Sequence, residues 1–259
     1  MTSSPAAGMP RYFGPRRALF GLYQAAAAPR RAVLLCPSLG QEMIRSHRIY
    51  RLLAQALAER GHAVLRFDYR GTGDSADAGE GLSWNACLAD VREAAAELRS
   101  ASGLDAVTAF GTRLGANIAM DAVDTAQLVG VVAWDPVLDG GQFLATMDAL
   151  QAHLLVDTSR FLRPRRDVDP HAEWVGFAPG DRLRAQLGDV RWRPGSALSL
   201  LIDSAPREPR AGHAIQQPPP RTLRIERPTS WHDLDAQEDV ILAHGVVEAV
   251  TAHFQEGRA

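Results

Sequence analysis

Cysteine and clusters of metal ligands are scarce in this chain. Its two cysteines, Cys36 and Cys87, are too few for the disulfide framework of a small secreted protein. His47 has no partner at a metal-binding spacing, and the sequence contains no Cys/His cluster typical of a zinc site. We therefore expect neither a bound metal nor a cofactor.

Charge of one sign and long apolar runs are lacking as well. The net charge is −2 and the basic residues are scattered, so the chain offers no positive field to nucleic acid. No segment approaches the ~18 consecutive apolar residues of a membrane span. Residues 1–10 lack the charged and apolar regions of a signal peptide. We expect these ten residues to be disordered, and we expect a cytoplasmic protein.

The apolar residues that are present form predicted strands and helices in alternation. They make up 46% of the 259 positions, which suits a single α/β domain over 11–259. An opening hairpin is predicted over 11–24, and the later apolar runs are typical of strands buried on both faces. Strands are predicted at 32–36, 63–67, 106–110, 128–134, 197–202 and 221–226, and helices at 46–60, 83–99, 114–123, 143–155 and 238–253. Helices between successive strands favour a mostly parallel sheet.

The alternation breaks once, after the predicted strand that ends at Trp134. A helical stretch follows, and residues 157–195 are rich in Arg, Pro, Asp and Trp. We interpret residues 138–195 as a short cap inserted over the end of the sheet, rather than as a second domain.

A turn flanked by glycines stands between one predicted strand and the next helix. Gly111 and Gly115 have Arg113 midway between them. Strand, G-x-S-x-G and helix form the nucleophile elbow of α/β-hydrolases, whose central residue attacks the substrate. Arginine stays protonated near neutral pH, so Arg113 is neither a nucleophile nor a base. The pattern predicts an α/β-hydrolase fold with a degenerate elbow.

The role of Arg113 has two interpretations. Its planar set of donors suits a carboxylate or phosphate of a ligand, beside the first helical amide at Leu114. Alternatively, Asp135 or Asp203 holds the guanidinium permanently in a structural ion pair. The sequence leaves both interpretations open.

Further candidates follow the strand ends, where open α/β sheets bind their ligands. An acid and a histidine follow the elbow in α/β-hydrolases, and Asp203 and His232 fit that chain order. Asp135 is the alternative acid, and Trp231 precedes the histidine in the same loop. We predict a catalytic role for His232, Asp203 or Asp135 and a substrate-binding role for Trp231.

The loop after the strand at 32–36 supplies other substrate-binding candidates. Ser38 and Leu39 lie where this fold usually provides an oxyanion N–H. Ser38 and Ser75 are weak candidates for a displaced nucleophile, since the hydroxyl of Ser75 most simply braces its turn. Four charged residues either line the mouth of the site or form a solvated helix start: Glu42, Arg45, His47 and Arg48.

Segments 36–42, 66–75, 111–116 and 134–137 together resemble a bacterial branch of the serine aminopeptidase S33-like α/β-hydrolases. The pattern is most similar to the exosortase-system-associated hydrolase type, which also has Arg-Leu-Gly at its elbow. The resemblance covers about residues 11–155. It implies the fold and a catalytic pair at Asp203 and His232, with Arg113 where the superfamily has serine.

We therefore expect a pocket protein that binds a small acyl, peptidyl or carboxylate-bearing metabolite of a biosynthetic pathway through Arg113. His232, together with Asp203 or Asp135, would catalyse proton transfer, such as epimerisation or cyclisation, rather than hydrolysis. One alternative is a genuine ester or thioester hydrolase that uses activated water or another serine. The other is a non-catalytic partner protein. A homodimer is compatible with all three.

Overall fold

A single mostly parallel sheet forms the centre of the computed structural model, which describes residues 8–76, 82–161, 163, 165, 168–169, 171–204, 221–233 and 239–256. Its strands are β1 (Met9–Phe13), β2 (Leu19–Gln24), β3 (Ala32–Cys36), β4 (Ala63–Phe67), β5 (Val107–Thr112), β6 (Leu128–Trp134), β7 (Leu198–Asp203) and β8 (Thr222–Arg224). Among the described residues these eight strands have the order β1-β2-β4-β3-β5-β6-β7-β8. In this spatial order, all neighbouring strands from β4 to β8 are parallel, whereas β2 pairs antiparallel with both β1 and β4. The predicted α/β sheet is confirmed.

Helices cover both faces of this sheet. They are α1 (Gln41–Glu59), α2 (Trp84–Ser102), α3 (Leu114–Asp121), α4 (Val123–Ala126), α5 (Gly140–Val156), α6 (Gly180–Leu187) and α7 (His244–Glu256). Along β3, Leu34 joins the core shared with α2 and α3, whereas Val33 and Leu35 join the core shared with α1 and α7. Burial on both faces explains why the strand is apolar at every position. No helix in the described part of the chain is long and apolar enough to cross a membrane.

Several boundaries differ from the predictions. Met9 and Pro10 pair with β2 in the opening hairpin, so the predicted disorder of 1–10 is wrong for these two residues. Residues 1–7 lie outside the described part of the chain. Helix α1 begins at Gln41, five positions before the predicted start, which brings Glu42 and Arg45 into its first turns. The predicted N-cap at Ser83 is confirmed, because its hydroxyl accepts a hydrogen bond from the amide of Ala86 at 3.2 Å.

Helices α5 and α6 lie between β6 and β7, within the residues predicted as a cap. Asp139 caps α5 by accepting a hydrogen bond from the amide of Gln142 at 2.9 Å, so this helix starts three residues before its predicted start. Asn117 of α3 exchanges two hydrogen bonds with the backbone of Val137, at 2.8 and 2.9 Å. These bonds fix the chain that leads from the sheet into α5. The division into one domain with a cap over 138–195 stays a prediction.

The glycine-flanked turn joins β5 to α3 as the sequence predicts. A Cβ atom on Gly111 would lie 2.5 Å from the carbonyl oxygen of Gly115, and one on Gly115 would lie 2.2 Å from that of Pro37. Arg113 has φ 52° and ψ −127°, a conformation that L-residues rarely adopt. The start of α3 therefore approaches both β5 and the end of β3 too closely for any side chain at the two glycines, and Arg113 lies in the turn between them.

We expect Gly115→Ala to lower the free energy of unfolding by ~1–3 kcal/mol or more, because the new methyl meets backbone atoms that cannot move independently. Gly188→Ala is the matched control, since its Cβ would find only the carbonyl oxygen of Ala185, at 3.5 Å. The control should stay within ~0.5 kcal/mol of the parent. Urea unfolding measures both variants, and equal losses would contradict the close approach at the turn.

Candidate functional site

Three distant segments meet at the turn between β5 and α3. Arg113 comes from the turn itself, Glu42 from the first turn of α1, and His232 from the loop after β8. Arg113 Nε donates to Glu42 Oε1 at 2.8 Å, and Arg113 Nη2 lies 3.0 Å from His232 Nε2. His232 Nε2 is also 3.3 Å from Glu42 Oε1. We call these three residues the Arg113 cluster.

The guanidinium of Arg113 lies close to two aromatic rings and donates a further hydrogen bond to the backbone. Its carbon atom lies 5.5 Å from the ring centre of Trp231 and 5.9 Å from that of Phe143, within the range of cation–π attraction. Arg113 Nη1 donates to the carbonyl oxygen of Asp135 at 3.1 Å. Only 11% of the side chain is exposed. The cation is therefore held rigidly, at the position that an elbow gives to its central residue.

Glu42 is the carboxylate partner of Arg113, so the expectation of Asp135 or Asp203 in that role is wrong. Burial alone would raise the pKa of Glu42, but the charges and hydrogen bonds of Arg113 and His232 outweigh it and hold the pKa below its ordinary value. The carboxylate is therefore ionised near neutral pH. Its Oε2 atom is buried and has no hydrogen-bond partner among the described residues.

The short contact to Arg113 determines the tautomer that we assign to His232. Arginine can only donate hydrogen bonds, so His232 Nε2 accepts from Nη2 and the neutral ring carries its proton on Nδ1. About a third of this side chain is exposed, and the ring centre lies 6.4 Å from that of Phe143. His232 thus connects the buried charge pair with the outside of the protein.

Asp135 supports the site through a buried network. Its Oδ1 accepts from the Ser204 amide at 2.7 Å, and its Oδ2 accepts from the Ser204 hydroxyl at 2.6 Å and from Trp231 Nε1 at 2.8 Å. Trp134 Nε1 donates to the same hydroxyl at 2.8 Å. The carboxylate of Asp135 therefore holds the loop after β8 that contains Trp231 and His232, here called the histidine loop, against the end of β6.

Arg45 also holds the histidine loop, and we did not single it out as such from the sequence. Its Nη1 donates to the carbonyl oxygen of Trp231 at 2.9 Å, and its Nε donates to that of Asp239 at 3.2 Å. The buried side chain lies one turn after Glu42 on α1. The sequence does contain one indication of this role. Arg45 lies three positions after Glu42, and residues at that spacing share one face of a helix.

The other predicted residues lie around the cluster in different roles. Asp203 ends β7, and its Oδ2 lies 2.6 Å from Arg224 Nη1 of β8. Ser38 is fully buried, and its hydroxyl has no partner in the described part of the chain. Leu39 is buried beside Glu42 in a narrow crevice. Leu114 opens α3, where amides have no acceptor within the helix.

A cleft of about 270 Å³ opens next to the Arg113 cluster. It lies between the ends of β6 and β7 and the first turns of α5. Its wall includes residues at the ends of the strands, in the segment 138–195 and in the loop after β8: Arg113, Asp135, Phe143, Trp192, Asp203 and His232. No group of three metal-ligating side chains occurs among the described residues. The available chemistry is that of an imidazole, a guanidinium and carboxylates beside a small open volume.

We expect Arg113→Met to lower the free energy of unfolding by ~3–5 kcal/mol near neutral pH, because it leaves Glu42 buried without a cation. The pKa of Glu42 is lowered in the folded protein, so its stabilising effect is present above the ordinary glutamate pKa and is lost as pH falls through the lowered value. The difference between parent and variant should therefore shrink in acid.

Urea unfolding of both proteins as a function of pH measures this difference. The double variant Glu42→Gln/Arg113→Met is the control, because it removes both charges and should recover much of the loss. A single-variant loss that does not change with pH, or that the double variant does not reduce, would contradict the buried charge pair.

Comparisons with known proteins agree with this architecture. The sequence profile of the family described as serine aminopeptidase, S33 matches residues 27–172, more than half of the chain. XC6422 from Xanthomonas campestris, described as an α/β serine hydrolase without lid, superposes with a TM-score of 0.54 and 18% identity over 99% of this chain and 96% of that one. Mouse alpha/beta hydrolase domain-containing protein 10 superposes with a TM-score of 0.54 and 12% identity over 96% and 97% of the two chains.

No curated protein matches this chain in sequence. At 12–18% identity the two superpositions establish the fold alone, and that fold is the predicted α/β-hydrolase fold. Together with the match over residues 27–172, they identify this chain as a member of the serine aminopeptidase S33 family of α/β-hydrolases.

Proposed function

We propose that this protein is an α/β-hydrolase-fold protein with a degenerate elbow, which binds a small acyl, peptidyl or carboxylate-bearing metabolite in the cleft beside His232. The 3.0 Å contact between Arg113 Nη2 and His232 Nε2 carries this proposal. In a serine hydrolase, the histidine nitrogen at this place receives the proton of the nucleophile. Here a permanent donor occupies the place, so an acyl-enzyme cannot form at residue 113.

The site retains polar groups for an anionic or carbonyl-bearing ligand. Guanidinium has five N–H groups, and those bound to Glu42, Asp135 and His232 account for three of them among the described residues. The remaining N–H groups belong to a side chain that lines the cleft, as does His232. A neutral histidine with its proton on Nδ1 is a hydrogen-bond donor, which suits a ligand carbonyl or carboxylate oxygen.

Proton transfer through His232 is the chemistry that we propose for the bound metabolite, as in an epimerisation or a cyclisation of a biosynthetic intermediate. The imidazole is partly exposed at the cleft, whereas Asp135 is engaged with Ser204 and Trp231. We therefore favour His232 as the reacting group and keep Asp135 as a supporting residue. The resemblance to the exosortase-system-associated type agrees with a role in a biosynthetic cluster.

A non-catalytic partner protein is the second candidate, and the enclosed guanidinium favours it. Arg113 lies within cation–π range of two aromatic rings and is paired with Glu42, which are also features of a structural ion pair. A serine hydrolase with a displaced nucleophile has less support. Ser38 is fully buried, and the hydroxyl of Ser75 donates to the carbonyl oxygen of Asp68 at 2.6 Å. Ligand-dependent turnover separates the enzyme from the partner protein.

We expect a small carboxylate ligand to raise the melting temperature of the protein. At a hundred times its dissociation constant, a ligand stabilises the fold by about 2.7 kcal/mol. For a chain of this size that corresponds to a shift of roughly 5–10 °C. The panel comprises short fatty acids, N-acetyl amino acids and their methyl esters, and the measurement is a thermal melt with each compound.

The same melts with His232→Ala should give a much smaller shift, because a cleft donor is lost. His244→Ala is the matched control, since this exposed residue opens α7 and does not line the cleft. A parent protein that responds to no compound, or two variants that respond alike, would count against ligand binding at His232.

We expect a serine-directed fluorophosphonate to leave the protein unlabelled, because such probes need an activated hydroxyl. Intact-mass spectrometry after incubation reads the result, with an active serine hydrolase treated in parallel as the positive control. Stoichiometric labelling that disappears in Ser38→Ala or Ser75→Ala would instead identify a displaced nucleophile and support the hydrolase alternative.

A further inference from the structure

Glu42 lies at the unexpected side of the histidine ring. In the Ser-His-Asp arrangement the carboxylate binds Nδ1 of the histidine, and Nε2 faces the substrate. In this protein the nearby carboxylate, Glu42, approaches Nε2 at 3.3 Å. Nε2 is also the nitrogen that contacts Arg113. Arg113 and Glu42 therefore both contact Nε2, and neither of them contacts Nδ1.

We infer that Glu42 is the positioning carboxylate of His232, in a dyad of reversed orientation whose reacting nitrogen is Nδ1. This inference rests on the proposed role of His232 in proton transfer. Arg113 is the resting partner, because it donates to the Nε2 lone pair of the neutral ring. Glu42 is the working partner, because it accepts the Nε2 proton once the ring is protonated.

Two geometric facts support the exchange of partners at Nε2. The 3.0 Å contact to Arg113 is an ordinary hydrogen-bond length, whereas the 3.3 Å contact to Glu42 joins two acceptors as long as the ring is neutral. A proton that binds the neutral ring can only bind Nε2, where it meets the donor of Arg113 and the acceptor of Glu42. Electrostatics then favours Glu42, because a carboxylate attracts the proton of an imidazolium and a guanidinium repels it.

The negative charge of Glu42 allows the ring of His232 to become protonated beside the positive charge of Arg113. Glu42 and Arg113 form a buried pair with no net charge, joined at 2.8 Å. Without Glu42, an imidazolium would face the guanidinium alone at close range. Other charged groups around the ring are Asp203 and Asp139, which line the same cleft, and Asp233, the next residue in the chain. Asp203 is already joined to Arg224 at 2.6 Å.

The proposed proton movements balance without a further reactant. The imidazolium gives its Nδ1 proton to the ligand, while the Nε2 proton stays hydrogen-bonded to Glu42. The neutral ring then has a lone pair on Nδ1, which takes a proton from the ligand and restores the imidazolium. Glu42 touches neither the ligand nor the moving proton, so it acts only through His232.

Proton NMR of the intact protein tests this inference. A ring proton held by a carboxylate gives a strongly downfield, slowly exchanging imidazolium signal, observed here below the ordinary titration range of histidine. We expect this signal in the parent protein, and its loss in His232→Gln assigns it. It should vanish in Glu42→Gln and persist in Asp203→Asn, the matched control for the carboxylate that the sequence order favoured.

Glu42→Gln leaves Arg113 without its counter-ion and can fail to fold, so Glu42→Gln/Arg113→Met serves as the second variant. It contains no stranded charge and should also lack the signal. A signal that survives in either Glu42 variant, or that disappears in Asp203→Asn, would overturn the inference. Failure of ligand binding is seen separately in the melting experiments, since the NMR signal requires no ligand.

Discussion

The buried pair of Arg113 and Glu42 is the interaction on which the site depends. Two ions removed from water cost several kcal/mol each unless they are paired and hydrogen-bonded, so each requires the other to remain in place. The pair joins the turn after β5 to the first turn of α1 at 2.8 Å. Phe143 from α5 and Trp231 from the histidine loop lie within cation–π range of the guanidinium. The ion pair thus lies where the sheet, α1, α5 and the histidine loop meet.

The turn that carries Arg113 keeps the strain that an elbow normally uses to expose a nucleophile. A non-glycine residue with positive φ costs about 1–3 kcal/mol and persists where its surroundings determine it. Arg113 has φ 52°, and Asp135, at the end of the neighbouring strand β6, has φ 43°. Both are stabilised by hydrogen bonds, since the Arg113 amide donates to the Trp134 carbonyl oxygen and the Asp135 carboxylate accepts from Ser204 and Trp231. The strained turn that presents the nucleophile in α/β-hydrolases therefore presents a charged side chain in this protein.

Local patterns predicted most of the fold, whereas the partner of Arg113 depends on contacts between distant segments. Strands 32–36 and 128–134 have the predicted bounds, because apolar runs buried on both faces are visible along the chain. The predicted start of α1 is too late because two polar residues near the start of the helix, Glu42 and Arg45, are buried at the site. The apolar periodicity that indicates a helix begins only after them. From the sequence, Glu42 could therefore either line the mouth of the site or belong to a solvated helix start. Asp135 and Asp203 follow strand ends and were the evident partners, but each is engaged elsewhere.

The separation of these contacts along the chain has a consequence for folding. Arg113 is 71 positions from Glu42 and 119 from His232, and Glu42 is 190 positions from His232. Closing such long loops is entropically costly, so we expect these contacts to form after β3, β5 and the later strands have assembled. Interactions absent from the transition state affect the unfolding rate much more than the folding rate. We therefore expect the Arg113 cluster to slow unfolding of the native state rather than to speed its formation.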